Sequence, residues 1–480
     1  MTKITKYVLA VIACTFFACS DNGTKDSGTK DTGTTAGKDA GPAQGTTDAP
    51  VLTEDAATEA GVVSGLTYWK DVLPIVESKC MGCHQTGGIA PFSMQTYAET
   101  KRKALSIADY VSGGIMPPYY IRHDNTCGSF DDSVALTPVE SETLVSWASG
   151  SADEGTPGTV ATPPVPHLEG GTDYHTPTFS PVAQGTAVAQ VDEYRCFLVD
   201  PALAQDAFIT GFEVTPGNTT IVHHLIGFAV DPSALGDNGQ PNSAIMEGLH
   251  SASPTRDGWP CFGAAGDNVA VAGVPVEWAP GQGVVNYPPS MGFQMKRTYQ
   301  YVIQVHYNLD DPRNAGQSDS STVRIHYANA VDRRLAFFLP DAFLDTLRSG
   351  KPDALPPGQS AAVYKWRKTA AQIGLPSSLP DVDLVAVMPH MHGRGVGQEF
   401  DIEPGDGTTA CAAALTRWDF HWQKFYFYKP DHYPRLTSSS AIDVACTYDT
   451  SAETSPVLPG WGTRNEMCLT ILMVALPPGV

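Results

Sequence analysis

The sequence predicts a mostly β protein in which two antiparallel sandwich domains follow a small helical domain. Short runs of alternating apolar and polar residues dominate the chain from about residue 179 onward, and turn residues separate them. The 45 glycines and 38 prolines favour turns and short strands over long helices. A β pattern of about 300 residues exceeds what one small sandwich needs, so we expect two.

Composition limits the function classes. The chain has 480 residues, of which 42% are hydrophobic and 17% are charged, a balance typical of globular domains. There are 30 basic residues against 51 acidic ones, which gives a formal net charge of −21. Such an acidic chain repels a phosphate backbone, so nucleic-acid binding is excluded.

The first residues have the layout of an export signal. Lys3 and Lys6 precede an apolar run over 7–18, which is too short to span a membrane as a stable helix. Ala18 and Cys19 resemble a bacterial lipobox, so we expect Cys19 to be lipidated after cleavage. An ordinary secretory signal with an incidental cysteine is the alternative.

Residues 20–61 are rich in Gly, Thr, Ser, Asp and Lys and predict a flexible tether. We therefore expect an exported lipoprotein that is attached to the membrane by its lipid alone. It would face the periplasm or the cell surface, and Ser20 favours the outer membrane. Export also places the remaining cysteines in an oxidising compartment.

Cys80, Cys83 and His84 form a C-x-x-C-H motif, which predicts one covalently bound haem c. The two thiols would bond to the haem vinyl groups, and His84 would ligate the iron. A zinc half-site would need a second ligand pair nearby, and a thioredoxin-like pair would not need the histidine. The upstream segment 67–79 predicts a helix, and residues 136–150 predict a closing helix capped by Thr137.

The sixth iron ligand should be a soft atom on the opposite side of the haem. Met116 is our choice, because two prolines follow it and would stiffen the loop that presents it. Met94 is the alternative, although it could equally pack in the core. The segment resembles small bacterial c-type cytochrome domains with an M-P-P loop.

Three strand-like runs of the β region carry five of the thirteen histidines. His390 and His392 are two residues apart, so in a strand they would point to the same face and grip one metal. His223 and His224 are adjacent, so both reach one metal only at a bulge or a strand end. His306 lies in a third run. Together with the thioether of Met467, these imidazoles indicate copper rather than zinc.

These residues carry a resemblance to the copper type II, ascorbate-dependent monooxygenases, the family of peptidylglycine α-hydroxylating monooxygenase and dopamine β-monooxygenase. The matching pieces cover roughly 170–480 and occur in the family's order. They are DEYRCF (192–197), TIVHHLIGF (220–228), QVHYNL (304–309), PHMHG (389–393) and EMC (466–468). The resemblance implies two jelly-roll-like β-sandwich domains.

The resemblance also implies two copper ions that face each other across a solvent-filled cleft. The electron-transfer copper would be bound by His223, His224 and His306. The oxygen-binding copper, where catalysis occurs, would be bound by His390, His392 and Met467. Two disulfides are implied as well, and the cysteines concerned are Cys196 with Cys261 and Cys446 with Cys468. Cys127 and Cys411 remain and could either bridge two domains or include a free thiol.

The sequence departs from the family where the peptidylglycine enzyme holds its substrate. The family's carboxylate-binding arginine is replaced by Met388, and its asparagine and tyrosine correspond to Leu469 and Ile471. This apolar trio cannot pair a carboxylate, and burying an unpaired charge is costly. We therefore expect an apolar or aromatic substrate. Ala229 replaces a family cysteine, so one family disulfide is missing.

The resulting hypothesis is an exported copper monooxygenase with a fused haem c domain. Its reactants would be O2 and a small molecule, and ascorbate or an electron-donor protein would supply electrons, directly or through the haem. A non-catalytic haem and copper electron-transfer or copper-binding lipoprotein is the alternative, and a structural or adhesive sandwich is a third possibility. The expected domains are a signal peptide (1–19), a tether (20–61), a cytochrome c domain (62–157), a linker (158–178), an N-terminal copper domain (179–334) and a C-terminal copper domain (335–480).

Overall fold

The computed structural model describes residues 65–479, except residues 87, 89, 125, 132–133, 187–189 and 380 and the side chains of 348 and 349. The predicted signal peptide, the lipidation of Cys19 and the tether lie outside the described residues. Over the described part of the chain, no helix has the length and apolar character needed to cross a membrane.

A helical module comes first. Its helical segments are Tyr68–Val72, Leu73–Ile75, Val76–Cys80, Tyr97–Arg102, Ala104–Ser112 and Pro138–Ser149. The predicted helices at 67–79 and 136–150 are both present. Thr137 caps the last helix, and Glu140 completes a capping box by bonding back to the Thr137 backbone. Tyr68, Leu144 and Trp147 are buried in the core that these helices share.

The rest of the described chain is mostly β, as predicted. The three strand-like runs that carry His223 and His224, His306, and His390 all form strands. Short helices occur at Asn242–Ser251, Pro312–Asn314, Ala342–Asp345, Thr346–Ser349 and Pro430–His432. The strands are β1 (Thr172–His175), β2 (Asp192–Val199), β3 (Ala207–Thr215), β4 (Val222–Val230), β5 (Trp259–Pro260), β6 (Gly273–Trp278), β7 (Val285–Asn286), β8 (Met291–Met295), β9 (Gln300–Asn308), β10 (Thr322–Ala328), β11 (Arg333–Phe338), β12 (Ala362–Thr369), β13 (Val382–His390), β14 (Gly395–Glu403), β15 (Ala410–Leu415), β16 (Tyr426–Phe427), β17 (Arg435–Leu436), β18 (Ala441–Tyr448) and β19 (Leu469–Ala475).

The strands form three sheets. A five-stranded sheet has the order β5-β2-β9-β4-β6, and a four-stranded sheet has the order β12-β18-β14-β15. The largest sheet has ten strands and runs β1-β10-β3-β8-β11-β19-β13-β16, with β7 beside β3 and β17 beside β13. One large apolar core gathers residues of the five-stranded sheet and of β3, β8 and β10. A second core lies between the four-stranded sheet and β13 and β19.

Strand β11 joins the two halves of the ten-stranded sheet. Its first residues pair with β8 in parallel, and its last four pair with β19 in the antiparallel sense. Arg333 at its start donates to the Asp383 carboxylate at 2.7 Å and to the Ala475 carbonyl at 2.8 Å. Sequence patterns predicted two sandwiches, and the structure shows that they share one sheet.

The predicted linker over 158–178 is partly wrong. Residues 172–175 form strand β1, which pairs antiparallel with β10. Leu168 and Tyr174 are buried, and the Leu168 N–H donates to the Glu213 carboxylate at 3.0 Å. The Pro, Gly and Thr content of this stretch predicted a linker. A short strand still forms there because it lies at the sheet edge, where it needs only one pairing partner.

Three disulfides cross-link the described residues. Cys196 is bonded to Cys261 and Cys446 to Cys468, the two pairings that the family resemblance implied. A third disulfide joins Cys127 to Cys411, so the helical module is covalently linked to β15 across 284 residues of sequence. The sequence had left this third pairing open.

Candidate metal centre

A β-bulge lets two adjacent histidines face the same point. The register of β4 against β9 shifts between Val222 and His224, which leaves His223 as the extra residue. His224 lies opposite His306 of β9 in this register. The sequence predicted that only a bulge or a strand end could bring the pair together, and the structure has the bulge.

The three imidazoles converge through the same ring atom. The Nδ1 atoms of His223, His224 and His306 lie 3.2–3.3 Å from one another. Metal–nitrogen bonds of about 2.0 Å at tetrahedral angles separate their donor atoms by about 3.3 Å. The three nitrogens therefore stand at the spacing that one bound metal ion requires.

The carboxylate of Asp192 orients this cluster. It accepts a hydrogen bond of 2.8 Å from Nε2 of His306, so the His306 proton is on Nε2 and its Nδ1 lone pair faces the other two rings. Thr463 donates to the same carboxylate through its N–H at 3.0 Å and its hydroxyl at 2.6 Å. Burial alone would raise the pKa of Asp192, but these partners hold it below its ordinary value.

Burial favours the neutral form of His223 and His224. Burial, reinforced by the neighbouring histidines, lowers the pKa of His223 and His224 well below the ordinary value. Tyr194 stacks on the His306 ring with 4.0 Å between centroids. Nε2 of His223 is buried and has no hydrogen-bond partner within the described residues. Neutral imidazoles are the form that binds metals.

The second predicted ligand set lies at one end of β13 and β19. His390 is the last residue of β13, while His392 follows in the loop rather than in the strand. Nδ1 of His390 donates to Oε1 of Gln423 at 2.7 Å, and Nδ1 of His392 donates to the Asn465 carbonyl at 3.0 Å. Each ring therefore keeps Nε2 available as a ligand atom. Burial lowers the pKa of His390 to about 4 and that of His392 to about 3.

Met467 lies two residues before β19 and is buried. Its carbonyl accepts a hydrogen bond of 2.6 Å from the Tyr448 hydroxyl, and the next residue, Cys468, is held by its disulfide. The buried Glu466 carboxylate accepts the N–H groups of His392 at 2.9 Å and Arg394 at 2.8 Å. These two hydrogen bonds hold the shape of the loop after β13. The sequence had predicted that His390 and His392 share one face of a strand, whereas His392 is positioned by this loop.

The two ligand sets are neighbours, which corrects the expectation of a solvent-filled cleft between them. The rings of His224 and His390 have centroids 6.2 Å apart. Phe420 packs between the sets, stacked on His223 at 4.1 Å and 6.0 Å from His392. The first set lies on β4 and β9 of the five-stranded sheet and His390 ends β13 of the ten-stranded sheet, and residues of both sheets share the first large core.

An apolar cavity opens beside both sets. It is lined by His224, His390 and Met467 and by Met388, Leu469 and Ile471, the three residues that depart from the peptidylglycine enzyme. No lysine or arginine is found among the described residues that line it. These observations fit an apolar or aromatic ligand and leave nothing to pair a substrate carboxylate.

Glu277 is the unusual group in this cavity wall. It is buried, and neither carboxylate oxygen has a hydrogen-bond partner within the described residues. Burial raises the pKa of Glu277 well above its ordinary value and so favours the neutral acid. Glu277 could not be identified from the sequence, because a single glutamate in a strand leaves no pattern.

The C-x-x-C-H motif lies at the end of the first helical run. Cys80 and Cys83 are free thiols, whereas the other six cysteines of the described chain are all paired. Nδ1 of His84 donates to the Phe92 carbonyl at 3.1 Å, which leaves Nε2 available to a metal. Met94 is buried in the module's core, and Met116 is half-buried in the loop after Ala104–Ser112. These residues fit a haem c, whose presence remains a prediction.

Comparison with known proteins gives a consistent result. Residues 347–476 match the family model described as copper type II ascorbate-dependent monooxygenase, C-terminal domain. The chain is 23% identical to human DBH-like monooxygenase protein 1 over 270 residues, covering 54% of this chain and 40% of that protein. The mouse protein of the same name is 26% identical over 202 residues, covering 41% of this chain and 32% of that protein. The chain thus spans less than half of these curated relatives.

Solved structures add little. The cowpea mosaic virus top component covers 64% of this chain and 89% of its own, at 9% identity and a TM-score of 0.29. Broad bean stain virus gives a TM-score of 0.26 at the same identity. Scores this low do not indicate a shared fold. The sequence similarities support the copper type II monooxygenase family for the β region.

Proposed function

We propose that this chain is a copper-dependent monooxygenase that inserts one oxygen atom of O2 into a C–H bond of a small apolar or aromatic substrate. The balanced reaction is RH + O2 + 2e⁻ + 2H⁺ → ROH + H2O. The observation that carries the proposal is the convergence of three Nδ1 atoms beside a second set, of two histidines and a methionine, that lines an apolar cavity.

The residues divide the work between the two sets. His223, His224 and His306 would hold one copper ion, and His390, His392 and Met467 the other. Imidazole suits both oxidation states of copper, and a thioether favours Cu(I). Copper supplies one-electron redox chemistry and a site for O2 when it is bound.

The protein supplies position and a dry environment. Asp192, Gln423 and the Asn465 carbonyl fix the orientation of three ligand rings. Met388 and Ile471 in the cavity wall exclude water and contact an apolar substrate. A C-terminal glycine peptide would bring an unpaired carboxylate into this wall and is not expected to react.

The electron supply and the location of the enzyme belong to the same proposal. Haem c bound by Cys80, Cys83 and His84, with Met116 as the sixth ligand, would deliver electrons from ascorbate or from an electron-donor protein. Cys19 would carry the lipid of an exported, membrane-anchored protein. The domain limits predicted from the sequence stand as part of this proposal, with β1 added to the first copper domain.

Metal analysis tests the central claim. The protein, matured in a host that attaches haem c, should contain two coppers and one haem per chain. Met467→Ala should perturb one copper, whereas His432→Ala should perturb neither, because His432 is exposed and belongs to neither set. Reductant-dependent O2 uptake with a panel of apolar substrates then tests catalysis. Two coppers without O2 uptake on any substrate would instead identify an electron-transfer protein.

A further inference from the structure

One segment lies between the helical module and both ligand sets. We call Arg417–Lys424 the connecting segment; it follows β15 and includes two tryptophans and a phenylalanine. The strand before it is fixed to the module, because the Thr416 N–H donates to the Tyr120 carbonyl at 3.0 Å and the Arg122 N–H donates to the Ala414 carbonyl at 2.7 Å. The segment therefore starts at a firm contact with the module.

The module side of the connecting segment contacts the loop that carries Met116. The Arg417 guanidinium donates to the Gly113 carbonyl at 3.3 Å. The Lys424 ammonium lies 5.6 Å from the ring centroid of Tyr119. Gly113 and Tyr119 each stand three residues from Met116, on either side of it. Both ends of the segment thus meet the loop that we assign to the sixth position of the haem.

The other side of the segment contacts the predicted metal ligands. The Trp418 indole N–H donates to the His392 carbonyl at 2.8 Å. Gln423 accepts from His390, and its own amide donates to the Phe420 carbonyl at 2.8 Å. Two hydrogen bonds therefore reach the second set, while the first set is reached through the ring stack of Phe420 on His223.

We propose that the connecting segment is the electron path from the haem-bearing module to the metal centre, and that electrons enter at the His390, His392 and Met467 set. This inference rests on the proposed function. One electron leaves ferrous haem, which becomes ferric, and reduces Cu(II) to Cu(I). An external one-electron donor, either ascorbate or a small electron-transfer protein, then reduces the haem again. The resemblance implies that the first set is the relay site. Electrons that entered there would not use the hydrogen bonds of Trp418 and Gln423 to the second set.

Trp418→Leu tests this path in the full haem- and copper-loaded protein. Reduced protein is mixed anaerobically with an oxidant sufficient for copper alone, and the reoxidation of ferrous haem by Cu(II) is followed by its absorbance. The variant should slow this step at least tenfold. Direct reduction of Cu(II) by ascorbate, followed by the loss of its paramagnetic signal, should keep the wild-type rate. His421→Ala is the matched control, since His421 is in the same segment but its side chain is 81% exposed.

A second variant controls for the possibility that Trp418→Leu slows haem reoxidation only by losing copper. The double variant Arg417→Ala with Lys424→Ala changes only the module side of the segment, and it should slow haem reoxidation while copper content stays unchanged. Wild-type reoxidation rates in both variants, expressed per bound Cu(II), would overturn the path. That result would leave the monooxygenase proposal intact if ascorbate still supported O2 uptake. Absence of copper from the wild-type protein would overturn both proposals.

Discussion

Replacing Asp192 by Asn isolates the contribution of one carboxylate to the first ligand set. Asp192 is 1% exposed, and its oxygens accept hydrogen bonds from His306 Nε2 and from the N–H and hydroxyl of Thr463. Asparagine has nearly the same shape but carries no charge. Its NH2 group would also face a donor on one side, either His306 or Thr463.

The expected loss follows from these contacts. A hydrogen bond to a charged group contributes about 1.5–3 kcal/mol, roughly twice a neutral one. Removing a partner that orients a ligand histidine weakens metal binding by about 10–100-fold, which is about 1.4–2.7 kcal/mol. We therefore expect the Kd of the first copper to rise by about 10–100-fold. The second set, whose rings are oriented by Gln423 and Asn465, should change far less.

Competition titration measures this effect. Apoprotein is titrated with Cu(I) against a chromophoric chelator, and the two binding steps are fitted separately. Asp173→Asn is the matched control, because Asp173 also loses a charge but pairs with Arg324 near the surface. Wild-type affinity at both steps in Asp192→Asn would refute the assigned role of Asp192. An equal loss at both steps would show that the variant had disturbed the whole fold instead.

Three further predictions concern stability. Because burial raises the pKa of Glu277, the folded state holds this proton to higher pH than the unfolded state, so stability is lost as pH rises through the folded pKa. Glu277→Gln should raise the unfolding free energy of apoprotein by about 1–3 kcal/mol at pH 8 and flatten its pH dependence, as measured by denaturant titration. Replacing Cys446 and Cys468 together by alanine opens a loop with a sequence separation of 22, and the loop-closure relation gives a loss of about 3 kcal/mol in the same assay. Gly263→Ala places a Cβ against the Trp461 ring at a positive φ of 59°, so thermal unfolding should reveal a loss of about 1–3 kcal/mol; an unchanged melting temperature would contradict this packing.

Period-two patterns made much of the fold predictable. The runs that contain His223, His306 and His390 are strands because alternating apolar residues face the two large cores. The adjacent pair at 223–224 could be restricted to a bulge or a strand end, since no regular strand points neighbours to one side. His392 was less well predicted, because its position depends on the Glu466 carboxylate, which is 74 residues away.

The groups that orient the ligands could not be predicted. Asp192 reaches His306 across 114 residues, and Gln423 reaches His390 across 33. Single polar residues carry no periodicity, so their partners appear only once the chain is folded. The pairing of Cys127 with Cys411 was open for the same reason, because it depends on how the helical module packs against β15.

Strand β11 pairs with β8 in one half of the β region and with β19 in the other, so the unfolding of one half is coupled to that of the other. Unfolding of either half would leave β11 with an unpaired edge, and unfolding of the half that contains β13 and β19 would also remove the partners of the Arg333 guanidinium. Exposing the edge of β11, or leaving Arg333 without its partners, costs free energy and so opposes the unfolding of one half alone. We therefore expect the β region to unfold as one cooperative unit, so that a substitution near β3 also lowers the stability of β13 and of the ligand that it carries.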